Sequence, residues 1–178
     1  MKLFKKITIV LVIIFVLPFI IALFLEKDYK VERNITINKP KQEVFGYIKM
    51  LKNQDIYSVW AQMDPAMKKE YTGTDGTVGF ESHWESSNEE VGTGTQKITK
   101  IIEGEKIETH ISFKIPFEAE DDAYLITERI DENTTLVKWG FTGSFPYPFN
   151  IMQLFINMDK EVGGDLEKGL QNLKKTIE

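Results

Sequence analysis

Cysteine is absent from the 178 residues and histidine occurs twice. Disulfides, thiolate nucleophiles and cysteine-built zinc sites are thereby excluded, and two histidines supply little for a histidine-rich metal centre. Basic residues are outnumbered, 22 against 27 acidic ones. Three lysines fall in residues 1–25, which hold no acid, so residues 26–178 carry 19 basic against 27 acidic side chains, a net charge of −8. A surface that acidic speaks against nucleic acid as a partner and against electrostatic adhesion to anionic lipid. GTDGTVG (73–79) holds three glycines but lacks the spacing, the following helix and the Gly-Lys-Ser/Thr of a phosphate loop. It reads as a hairpin turn, and no cofactor is expected.

One long run lacks charge altogether. Ile7 to Leu25 is 19 residues of apolar sequence behind Lys2, Lys5 and Lys6, long enough to cross a hydrocarbon core of about 30 Å at 1.5 Å per residue. The run ends without the small-residue pair of a signal-peptidase site, so residues 1–28 are expected to form an uncleaved transmembrane anchor and short linker, with membrane contact through 7–25. The lysines ahead of the run place the N-terminus in the cytoplasm and the domain outside it, on the periplasmic or cell-surface side of the membrane.

Residues 29–178 read as one domain. Tyr29 to Ile37 alternates as a half-buried strand. NKPKQEVFGYIKML has Pro40 at a helix start and Val44, Phe45, Ile48 and Leu51 on one stripe. Strands follow near 68–72, 77–86, 94–102, 105–115, 120–130 and 134–143, joined by links so short that neighbours must be antiparallel. From Ile151 to Ile177, apolar residues recur at three- and four-residue steps, predicting a long amphipathic helix. Gly163 and Gly164 could bend it, and Gly169 falls on its apolar stripe. A sheet of about seven strands wrapped around that helix buries both apolar faces.

Residues two apart on a strand share a face. Phe80, Ser82 and Trp84 therefore point toward the helix, and Glu81, His83 and Glu85 toward water. Thr109, Ile111 and Phe113 point inward as well, opposite His110. Strands bearing the two histidines should be separated by a third, about 9–10 Å across, which disfavours a shared metal. Trp139 and Phe141 also face in, Met158 and Val162 belong to the helix stripe, and Trp60 lies in an irregular segment that could form a lid. This set is the expected wall of a ligand cavity, with Ser82, Thr109 and Thr95 as its sparse polar contacts.

The order of elements resembles the START-like, SRPBCC helix-grip superfamily, and within it bacterial proteins of the polyketide cyclase/dehydrase type. The resemblance is carried by ITINKPKQEVFGYI (35–48), GTVGFESHWES (76–86) with EVGTGTQKI (90–98), ISFKIPFEA (111–119), TTLVKWGFTG (134–143) and MDKEVGGDLEKGLQNLKK (158–175). It implies an α+β helix-grip fold over 29–178 and a cavity that relatives use for lipids, sterols, quinones or polyketides. Binding of a small apolar ligand is the expected function, with a cyclase/dehydratase-type enzyme as the alternative. The enzyme would need an ionisable group inside the cavity, for which Arg33, Arg129, Asp159 and Glu161 are the candidates. A protein-interaction module of the same superfamily is a third reading, disfavoured by the predicted location.

Overall fold

The computed structural model describes residues 2–178, with side chains from Phe4 on; Met1 of the expected 1–28 unit lies outside the described residues. Helix α1 (Lys2–Ala22) contains Pro18, and Phe4–Ala22 is long and apolar enough to cross a membrane. Strand β1 (Asp28–Ile37) follows, then α2 (Lys41–Ile48), a 3-10 turn at Leu51–Asn53, and the short helices α3 (Gln54–Tyr57) and α4 (Val59–Met63). Strands β2 (Lys68–Thr72), β3 (Glu81–Glu85), β4 (Thr93–Ile102), β5 (Lys106–Ile115), β6 (Ala119–Arg129) and β7 (Thr135–Ser144) form a meander, which leads through a 3-10 helix at Phe149–Leu154 into α5 (Met158–Ile177).

All seven strands join one antiparallel sheet in the order β1-β7-β6-β5-β4-β3-β2. The meander places β2 to β7 in sequence, and β1 returns to the β7 edge because its inward row must be buried. Opposite one another stand Val31 and Phe141, Arg33 and Trp139, Ile35 and Val137. Helix α5 packs chiefly across β1, with α3, α4 and β7 beside it. Its stripe buries Leu166, Leu170 and Leu173, each worth about 1.5–3 kcal/mol relative to exposure. Val31, Val44, Phe45, Ile48, Phe80, Ile98 and Leu125 complete that core.

Two expectations are corrected. Helix α5 starts at Met158, not Ile151: the Asn157 side chain accepts from the Lys160 amide and caps it, so Ile151 and Phe155 fall before it. The helix runs unbroken through Gly163 and Gly164, with the Arg33 guanidinium lying against Gly163. Strand β3 begins at Glu81 rather than near 77, since the turn extends through Gly73, Gly76 and Gly79, all with positive φ. Within that turn the Asp75 carboxylate accepts from the amides of Leu51, Lys52 and Gly76, tying the loop to the helical segment.

Candidate functional site

The concave face is built by strand alternation. Across β3, β4 and β5 the register sets Trp84 beside Gly94 and Phe113, and Ser82 beside Gln96 and Ile111. Thr95 is therefore on the convex face, opposite His83, and Gln96 takes the polar position that Thr95 was expected to fill. Phe80 is 1% exposed and stacks on Tyr71 at 6.0 Å between centroids. Trp139 is 4% exposed and meets Tyr57 and Trp60 edge-on at 5.5 and 6.3 Å. It occupies the notch left by Gly169, where a Cβ would lie 2.7 Å from the ring. Thr109 is buried, donating to the Ala123 carbonyl at 3.3 Å and accepting from Gln96 Nε2 at 3.0 Å.

The eleven expected residues divide by depth. Phe80, Thr109, Ile111 and Trp139 are buried, whereas Trp60, Ser82, Trp84, Phe113, Phe141, Met158 and Val162 are half-buried. Trp84 and Phe113 contact edge-to-face at 5.9 Å, and the Trp84 indole donates to the Val91 carbonyl at 3.2 Å. The closed floor retains a cavity of about 10 Å³ bordered by Ile48, Gln54, Ile98, Thr109, Leu125 and Trp139, room for about one water. Nearby, the buried hydroxyls of Tyr47 and Tyr57 lack partners among the described residues. Each such group costs about 1–3 kcal/mol unless a water or guest satisfies it.

The charged candidates sit at the rim. Arg33 binds Asp159 through both guanidinium nitrogens, at 2.8 and 2.9 Å, and donates to its carbonyl. That contact holds the Asp159 carboxyl below its usual range. Arg129 and Glu161 are exposed, Arg129 donating to the Asp131 carbonyl. His83 stands opposite Thr95 and His110 opposite Lys97, so the two rings are two residues out of step along β4. Hydrogen bonds to Asp122 and Glu120 raise the His110 pKa.

One inward ionisable group escaped the strand-phase reading. Asp121 faces inward from β6 opposite Ile111 and is 8% exposed. Its Oδ1 accepts from the Tyr29 hydroxyl at 3.1 Å, and Tyr29 stacks on Phe141. Gly143 makes this pairing possible, since a Cβ there would overlap both the carboxylate and the phenol. Burial pushes the Asp121 pKa up to about 6, reinforced by Asp122 and Glu120 and opposed by the Tyr29 hydrogen bond and His110. The phase that placed Arg129 inward also places Asp121 there, but EAEDD (118–122) looks like a solvated turn. The pair borders an open recess of about 540 Å³ whose rim carries Glu26, Asp28, Glu120 and Asp122 together with Lys30.

No protein-family model matches the chain, and no curated protein does. Solved structures do. Norcoclaurine synthase from Thalictrum flavum superposes with a TM-score of 0.61 at 9% identity, over 84% of this chain and 93% of that one. Ara h 8.0201 gives 0.53 at 16% identity over 84% and 97%. The Aha1 dimer from Colwellia psychrerythraea gives 0.51 at 16% over 84% and 96%. At such identities the likeness establishes the fold, and the fold hosts a synthase and a differently named dimer alike, so function must be argued from the site.

Proposed function

From a chain with the START-like helix-grip fold, we infer that the domain binds a small apolar molecule, lipid-, quinone- or polyketide-like, and that α1 anchors it in a membrane. The observation that supports binding is the graded wall. Buried Phe80, Ile111 and Trp139 form a floor, and half-buried Trp60, Trp84, Phe113, Phe141, Met158 and Val162 surround it. Because α5 lies mainly over β1 at the sheet edge, its N-terminal half and α4 are the parts that must shift for a guest to enter beside Trp84 and Phe113. Asp121 and Tyr29 supply a polar contact at the anchor end of the wall. The anchor reading adds a source of apolar molecules, with the lysines at 2, 5 and 6 keeping the N-terminus inside and the domain out.

All three tryptophans of the chain belong to this region, so intrinsic fluorescence reads it directly. Full-length protein in phosphatidylcholine nanodiscs, titrated with a short-chain quinone and with octanoate, should show a saturable change that V162W abolishes by filling the trough. A linear, unsaturable response to both, unchanged in V162W, would overturn the binding reading. Asp121 supports the enzymatic alternative, because it is a carboxyl on the concave face that titrates near pH 6 and could exchange a proton with a bound guest. Turnover of an apolar carbonyl substrate that is lost in D121N while binding persists would establish that reading over simple binding.

A further inference from the structure

The segment between β7 and α5 carries the molecule's second apolar surface, and its hydrogen bonds say where that surface lies. In the 3-10 helix Phe149–Leu154, residues three apart are stacked on one side. Asn150 and Gln153 make one such pair and face the end of α1. Asn150 Nδ2 donates to the carbonyls of Ala22 and Leu25, at 2.7 and 3.1 Å, and Gln153 Nε2 to those of Glu26 and Lys27, both at 3.0 Å. Phe149 and Met152, continued by Phe155, make the next row, and it is exposed among the described residues. Phe149 is 63% exposed and Phe155 79%, while Leu154 beside them is also exposed. Just past the end of α1, Leu23 and Phe24 are exposed as well, Phe24 at 84%.

Depth follows from these contacts. Asn150 reaches Ala22, the last residue of α1, and Leu25, the last residue of the apolar run. If α1 spans a bilayer, Asn150 lies no higher than the boundary between headgroups and acyl chains. We propose that the exposed row Phe149, Met152, Leu154 and Phe155 inserts into that boundary as an interfacial foot, coplanar with Leu23 and Phe24, and so fixes the domain's tilt on the membrane. This rests on the anchor reading above. Apolar and aromatic side chains are favoured at that depth, and insertion buries an apolar patch that water would otherwise hydrate. The foot is uncharged from Phe145 to Asn157, so the partner is the acyl boundary of the bilayer rather than an anionic headgroup. Helix α5 starts at Met158 directly after the foot, and β1 with Tyr29 starts directly after the anchor. The Met158, Phe141 and Tyr29 end of the wall is therefore turned toward the lipid.

The absence of cysteine makes the test direct. Single substitutions I13C, F149C, F155C and I130C are labelled with an environment-sensitive nitrobenzoxadiazole dye in the full-length chain, reconstituted in neutral phosphatidylcholine vesicles. Ile130 is exposed at the opposite end of β6 and serves as the aqueous control. Vesicles carrying an acyl-chain nitroxide should quench most of the emission at positions 13, 149 and 155 and leave 130 unaffected, with soluble iodide acting in reverse. Quenching by lipid at 13 but not at 149 and 155 would refute the foot and leave the anchor standing. Absence of lipid quenching at 13 would refute the anchor, and the foot with it.

Discussion

Asp121 is a buried carboxyl whose charge is resisted by its surroundings, and its protonation should be visible in stability. Its pKa in the fold is about 6 against an ordinary 3.8, so folding favours the protonated form. The sign follows: the fold loses stability as pH rises from about 4 through about 6, and the loss is complete above that. Asp121→Asn keeps an acceptor for the Tyr29 hydroxyl without the charge. It should stabilise the protein at pH 8 by about 1–2 kcal/mol, less than the bare shift implies because the recess admits water. No difference should remain at pH 3.5, as measured by urea denaturation. His110 has a raised pKa as well, so its contribution is present below the ordinary histidine value and lost above the raised one. Two glycines of α5 offer a second contrast. Gly164 has open space where a Cβ would go, so G164A should stabilise by up to about 1 kcal/mol. Gly169 faces the Trp139 ring, so G169A should destabilise by about 1–3 kcal/mol from overpacking, a gap that thermal melts would resolve.

Elements were legible to the degree that their periodicity stood alone. The inward rows of β3, β5 and β7 could be read from residues such as Phe80, Trp84, Phe113 and Trp139, because a period of two has one apolar phase. The start of α5 could not, because Ile151 and Phe155 fit helical spacing although Ile151 lies in a 3-10 helix that ends at Leu154, and α5 begins only after the Asn157 cap. A cap is one side chain and leaves no periodic trace. Replacing it tests the boundary: N157A should cost about 1 kcal/mol and fray the first turn around Met158, which amide exchange at Lys160 and Glu161 would report. Asp121 was hidden by its neighbours Glu120 and Asp122, since an acidic run reads as surface whichever member turns inward. The narrowness of the interior was hidden for a different reason. Whether Trp139 fills the space over Gly169 or leaves it open depends on how side chains from distant elements fit together, which no linear pattern records.

For the whole molecule, the link between α1 and the domain is a short set of hydrogen bonds centred on one fully buried asparagine. N150A should uncouple the two units while leaving the sheet intact. Nanosecond anisotropy of a dye at I130C in nanodiscs should then show the domain rotating faster, with an unchanged melting temperature for its core. A further consequence lies in the order of the strands. Of the strands, β1 is made before the others, and among the described residues it pairs only with β7, whose residues follow roughly a hundred positions later, so the contact that completes the sheet is among the most remote in the chain. A translating chain must hold its first strand unpaired until nearly all of the domain has been made. Folding is thereby deferred to the close of synthesis, when the apolar N-terminal helix has long since found its own surroundings.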